Sequence, residues 1–182
     1  MKKNYLLLLL LFSAHFLFAQ TDNGDFLVGG NLGFRTNKNS SNFTLTPNVG
    51  YFFAKNFAAG GSITLNFQKQ GIVHTTNIGL GPFARYYFGQ SNFRPFLHGG
   101  LGFLSSSYKT GASKTTTNGF YTTLGIGGAA FINQSVAFEG LAAYDHTKNS
   151  KASSDNGFSL NFGFQVYINN SKMATLRRGR LE

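Results

Sequence analysis

No cysteine occurs anywhere in the chain, which excludes a disulfide framework and a thiolate metal site. Tryptophan is also missing, proline occurs 3 times, and charged residues make up only 12% of the 182 residues. Acidic groups are the scarcest, 6 against 16 Lys and Arg, for a net charge of +10. After Gln20 no apolar run reaches the roughly 20 residues that a membrane helix requires. What the chain has instead is 21 phenylalanines, 8 tyrosines and 23 glycines. The length suits one domain with a sizeable core.

The N-terminus reads as a secretory leader. Met1, Lys2 and Lys3 form a basic head, Leu6 to Leu11 and Phe12 an apolar run, and Phe18-Ala19-Gln20 a cleavage site. Residues 1–19 are therefore expected to be removed, and the run is short for a spanning anchor. Losing Lys2 and Lys3 takes the net charge from +10 to +8. An exported basic chain points to anionic lipid headgroups rather than to nucleic acid.

From Asp25 onward one unit repeats, an alternating segment followed by a polar or glycine-containing break. Eight such segments lie near 25–36, 42–53, 57–67, 76–88, 93–104, 119–131, 135–144 and 157–168. In the last, Phe158, Leu160, Phe162, Phe164, Val166 and Ile168 share one parity, which no helix would place on one face. Each segment is about the 9–11 residues that a tilted strand needs to cross a bilayer. Breaks near 54–56, 89–92 and 132–134 are short, and those near 37–41, 68–75, 105–118 and 145–156 are longer. Tight turns at one end and long connections at the other are the layout of an up-and-down transmembrane barrel.

A soluble barrel also alternates, so the second face decides between the two. Its outer wall would carry many Lys, Glu and Asp. Here the segments hold only Arg35, Arg85, Arg94, Glu139 and little else, and the lysines fall in the breaks. The second face is Gly, Asn, Ser and Thr with a few aromatics, which suits a narrow filled lumen. In RPFLHGGLGF (residues 94–103), Pro95, Leu97, Gly99, Leu101 and Phe103 then face lipid, and Arg94, Phe96, His98, Gly100 and Gly102 face the lumen. Tyr51, Phe53, Phe57, Tyr86, Phe88 and Phe93, near strand ends, suit an interfacial girdle.

The leader, the eight segments, and phrases such as FRPFLHGGLGF and GIGGAAFINQSVAFEGLAAY resemble the small outer-membrane β-barrel proteins of the OmpX/OmpW/OmpA-barrel type. The resemblance is to the forms common in Bacteroidota and covers roughly Asp25 to Ile168. It implies an all-β, eight-stranded antiparallel up-and-down barrel over residues 20–168, integral to a bacterial outer membrane. It also implies contact with outer-membrane lipid, lipopolysaccharide and the outer-membrane assembly machinery. Such families include adhesion proteins, small-solute channels, assembly factors and a few lipid-modifying enzymes. Many members end on an aromatic residue of the last strand; here a basic segment, residues 169–182, follows Ile168.

Within that frame Arg85, Arg94, His98 and Glu139 share the inward parity in the short-turn half. Buried charges must be paired, so they form one expected lumen network, read either as a plug or as a gate. Lys38, Lys69, Lys109, Lys114, Lys148 and Lys151 fall in the outer breaks, where lipopolysaccharide phosphates are the anionic neighbour, or where they serve only solubility. An enzyme would recruit His146 and Ser150 with Asp145 or Asp155, all in one outer break. His74 stands alone, and the glycine clusters lie mid-strand rather than before a helix. The expected function is non-enzymatic, without cofactor or metal: a structural or interaction barrel that meets lipopolysaccharide or an unidentified protein partner. The alternatives are a narrow channel for small or hydrophobic solutes and, more distantly, a lipid-modifying enzyme.

Overall fold

A computed structural model of the chain describes residues 21–36, 40–111, 113–150 and 154–170. The leader (1–19), Lys38, Lys151 and the tail beyond Asn170 lie outside the described residues. Eight strands follow one another: β1 (Phe26–Thr36), β2 (Ser40–Ala54), β3 (Phe57–Gln70), β4 (Val73–Tyr87), β5 (Phe93–Thr110), β6 (Ser113–Phe131), β7 (Val136–Asn149) and β8 (Asp155–Ile168). Each pairs antiparallel with its neighbour, and Phe26 pairs Ile168 to close the barrel. Closure matters because lipid offers backbone groups no hydrogen-bond partner.

Parity sorts the side chains as the alternation predicts. Leu97, Leu101 and Phe103 of β5 are exposed on the outer wall, whereas Arg94 and Phe96 are 2% and 1% exposed within it. The outward apolar surface continues around the barrel through Leu80, Leu124, Ile126, Leu160 and Phe162, where lipid takes the place of a protein core. Phe53, Phe57, Tyr86, Phe88 and Phe93 stand exposed beside the short turns, and Tyr51 and Tyr86 meet Phe53 and Phe88 edge to face at 5.0 and 5.1 Å. The interior is densest at that same end, where Leu27, Phe52, Tyr87, Phe96 and Tyr167 are buried together.

The outer connections differ from the expectation. Strands run on through most of the breaks near 68–75, 105–118 and 145–156, so that β5 and β6 reach 18 and 19 residues. The β3–β4 and β5–β6 tips are tight: Gly71 and Gly111 take the positive φ (58° and 57°) that the first central residue of a two-residue hairpin turn needs. The physical reason is compositional. Ser105 to Ser107 pair with Asn118 to Thr116 beyond the apolar belt, where neither face needs hydrophobic residues. Hydropathy alternation therefore vanishes there while the threonines of β6 continue to favour a ladder.

Candidate functional site

The plug is assembled from strands far apart in sequence. Arg85 on β4 and Glu139 on β7 project inward across the lumen and form an ion pair at 2.7 Å, both side chains at most 2% exposed. Arg85 Nε donates to His98 Nδ1 at 3.2 Å, which puts the ring proton of a neutral His98 on Nε2. Tyr167 Oη donates to Glu139 Oε1 at 2.6 Å. Tyr87 Oη lies 3.4 Å from that carboxylate oxygen and accepts from Arg85 Nη1 at 3.4 Å. Phe83 and Phe96 lie under the guanidinium, their ring centres 5.3 and 5.1 Å from its carbon. Both carboxylate oxygens and the cation are thus satisfied, as burial in a low-dielectric interior requires.

Of the four residues expected in one network, Arg85, His98 and Glu139 lie in contact, whereas Arg94 makes its described hydrogen bonds elsewhere. Arg94 donates to the Ser91 carbonyl and to the Thr21 hydroxyl, and its guanidinium lies over Phe131 at 5.2 Å. Thr21 in turn donates to Asn56 in the β2–β3 turn at 2.7 Å. Arg94 therefore fastens the segment before β1 across the barrel's short-turn end. Tyr87 and Tyr167, absent from the expected network, are buried members of it. Their inward parity was the available signal, obscured because tyrosine near a strand end also suits the interface.

Above the plug the lumen widens into a cavity of about 860 Å³ whose polar lining is mostly Asn, Thr and Ser, interspersed with apolar residues such as Leu104, Leu141 and Leu160. Asn66 Nδ2 lies 2.7 Å from both Asn42 Oδ1 and Thr44 Oγ1, and Asn77 Nδ2 donates to Asn66 Oδ1 at 3.2 Å. Arg85 and His98 belong to its floor. Polar walls above and a packed, ion-paired floor below make a blind vestibule in the outer half.

The lysines correct the expectation that they sit in loops. Lys69, Lys109, Lys114 and Lys148 lie on β3, β5, β6 and β7, exposed on the outward parity. Lys69 pairs with His74, His74 with Lys109, and Lys109 with Lys114, so four basic residues form one outward row across β3–β6. Lys148 pairs with exposed Phe120 at the edge of the apolar belt. The catalytic grouping of His146 and Ser150 with Asp145 does not assemble, and the side chain of Asp155 lies outside the described ones. Asp145 points inward and accepts from Thr123 at 2.7 Å, His146 points outward to Asn156 at 2.5 Å, and Ser150 donates to the Asn118 carbonyl at 2.7 Å. Adjacent strand residues face opposite ways, so nearness in sequence separates these groups.

A lipid-facing belt, a closed antiparallel wall and a polar lumen define an integral barrel of the bacterial outer membrane. The chain belongs to the family described as outer membrane protein beta-barrel domain, whose profile matches residues 5–165. Among solved structures it is similar to Neisserial surface protein A, with 16% identity over 80% of this chain and 97% of that one, at a TM-score of 0.63. It is also similar to the N-terminal β-barrel domain of Pseudomonas aeruginosa OprF (14% identity, 80% and 98% covered, TM-score 0.54). OprG of the same organism gives 15% identity, 81% and 97% coverage and a TM-score of 0.51. No curated protein sequence matches the chain. At such identities the likeness concerns the fold.

Proposed function

We propose that this barrel is a non-enzymatic surface protein whose extracellular hairpins hold cations against the phosphate groups of lipopolysaccharide. The supporting observation is the outward row Lys69–His74–Lys109–Lys114, built on paired strands beyond the apolar belt. Lysines that only kept a loop soluble would gain nothing from sharing one lateral row. Each lysine near an anionic leaflet contributes about 1 kcal/mol, by analogy with inner-leaflet lipids. Reversing Lys69, Lys109 and Lys114 to Glu is expected to weaken binding of lipopolysaccharide to the barrel in nanodiscs by about 100-fold. Dephosphorylated lipopolysaccharide should bind wild type and variant alike. Equal binding of the intact glycolipid to both proteins would sink the reading.

The vestibule favours a second reading, a narrow channel. Against it stand the Arg85–Glu139 pair and the rings of Phe52, Phe96 and Phe131, which fill the lumen below. An eight-stranded barrel has an interior that side chains can fill. Purified, refolded protein in planar bilayers is therefore expected to give no steady conductance steps. Steps of defined size would establish a pore and make Arg85 and Glu139 its first residues to mutate.

A further inference from the structure

The wall of the barrel is not equally closed all round. The β1–β8 ladder holds seven residue pairs and stops at Leu32–Phe162, although β1 runs on to Thr36 and β8 begins at Asp155. The other seven seams hold eleven to eighteen pairs each. The seam therefore opens toward the extracellular side while each strand keeps its other neighbour, β2 or β7.

The opening lies at the depth of the outer leaflet. On β8 the outward Phe162 closes the ladder, and the next outward residues, Leu160 and Phe158, are still apolar and exposed. Only above them, at Asn156 opposite His146, does the outer wall become polar.

The vestibule reaches this gap. β2 and β3 contribute alternate residues to its lining, as walls seen from inside should: Asn42, Thr44 and Thr46, or Ser62, Thr64 and Asn66. β8 contributes six in succession, Asn156 to Asn161. β7 adds one outward residue, Ala142, level with Leu160, but a strand that lines a cavity with both parities over six residues presents its edge to it. The outward Leu160 and the inward Ser159 and Asn161 thus border one continuous space.

The polar groups of that space set the chemistry of an occupant. Among the described residues, Asn48 Oδ1 (Asn48 is 5% exposed), Asn77 Oδ1 and Tyr121 Oη have no hydrogen-bond partner, and all three residues line the cavity. The charges are already engaged: Arg85 with Glu139, and Asp145 with Thr123. A ligand would therefore meet amides and hydroxyls, which suit hydroxyl or amide groups rather than a net charge.

We propose that the gap between β1 and β8 is a side port for a single-chain amphiphile of the outer leaflet. Its uncharged, hydrogen-bonding head enters the vestibule, and its acyl chain stays in lipid along Leu160. The port needs no passage through the plug and is independent of the lysine row. The test uses a 1-monoacylglycerol carrying a diazirine on the glycerol, photolysed with the full barrel in nanodiscs, and adducts mapped by mass spectrometry. Adducts are expected on the inward residues beside the seam, Ser159 and Asn161, and on Asn48 across β1, and unlabelled monoacylglycerol should compete them away. Because the chain has no cysteine, Gly33→Cys with Asn161→Cys can bridge the next position of the register. Oxidation should lower inward labelling at least tenfold, and reduction should restore it. If a heat-modified gel shift shows that this pair does not form a barrel, Phe34→Cys with Leu160→Cys bridges the position above. Adducts confined to outward residues, or inward labelling that survives the bridge, would overturn the proposal.

Discussion

Replacing Glu139 with Gln is expected to destabilise the barrel by about 3–5 kcal/mol, the cost of leaving a buried charge without its counter-ion. Arg85 is 2% exposed, so its guanidinium cannot turn to water once the carboxylate is gone. The Gln amide matches the carboxylate in shape but not in function. If its NH2 faced Arg85, donor would meet donor. If its oxygen did, Tyr167 Oη would lose the acceptor it now holds at 2.6 Å. The measurement is urea unfolding from lipid vesicles, followed by the gel shift between folded and heated forms. Arg85→Met combined with Glu139→Leu should recover most of the loss, since apolar replacements of a buried pair are often neutral or stabilising. Equal losses in the single and double variants would mean that packing around Tyr87 and Tyr167, not charge, dominates the plug.

How far the sequence shows this architecture depends on where hydropathy has to alternate. Inside the apolar belt one parity faces lipid and the other a tight lumen, so β8 can be read from Phe158 to Ile168 almost residue by residue. Beyond the belt both faces meet water, and SSS opposite TTN gives no amphipathic signal although it pairs in register. That is why hairpins stand where loops were expected. It also explains the lysines: they sit in strands that the composition does not reveal, and only pairing shows that Lys69, Lys109 and Lys114 share one row.

The plug was partly legible for a related reason. A charge on the inward parity must find a partner, and Glu139 is the one acid on that parity inside the expected spans apart from Asp25, which opens the first of them. Parity does not say which arginine it meets. Arg85 and Arg94 both point inward, and the choice depends on strand tilt and side-chain reach across the lumen. The β1–β8 gap left no local trace, because the first and last strands make the longest-range pairing in the chain and its extent depends on where the other seven seams leave them.

Gly60 and Gly61 should respond in opposite directions to the same added methyl group. On the inward face a Cβ at Gly60 would lie 2.0 Å from the Val49 carbonyl oxygen and 2.5 Å from Gly50 Cα. Both obstacles are backbone of the neighbouring strand, so no rotamer change relieves them. Gly60→Ala should therefore cost at or above the top of the roughly 1–3 kcal/mol range for overpacking, and much of the protein should fail to give the folded gel band. One residue on, a Cβ at Gly61 would meet nothing within 4 Å and would project toward lipid. Gly61→Ala restricts the unfolded chain without a native clash and should stabilise by about 0.4–1 kcal/mol. The contrast tests the close β2–β3 approach, because the two positions share a strand, a residue type and a neighbouring pair. If both alanines are tolerated alike, the strands are farther apart at Gly60 than their register implies. If both are damaging, β-propensity is not the issue, and the outward face at Gly61 must be covered by something other than lipid.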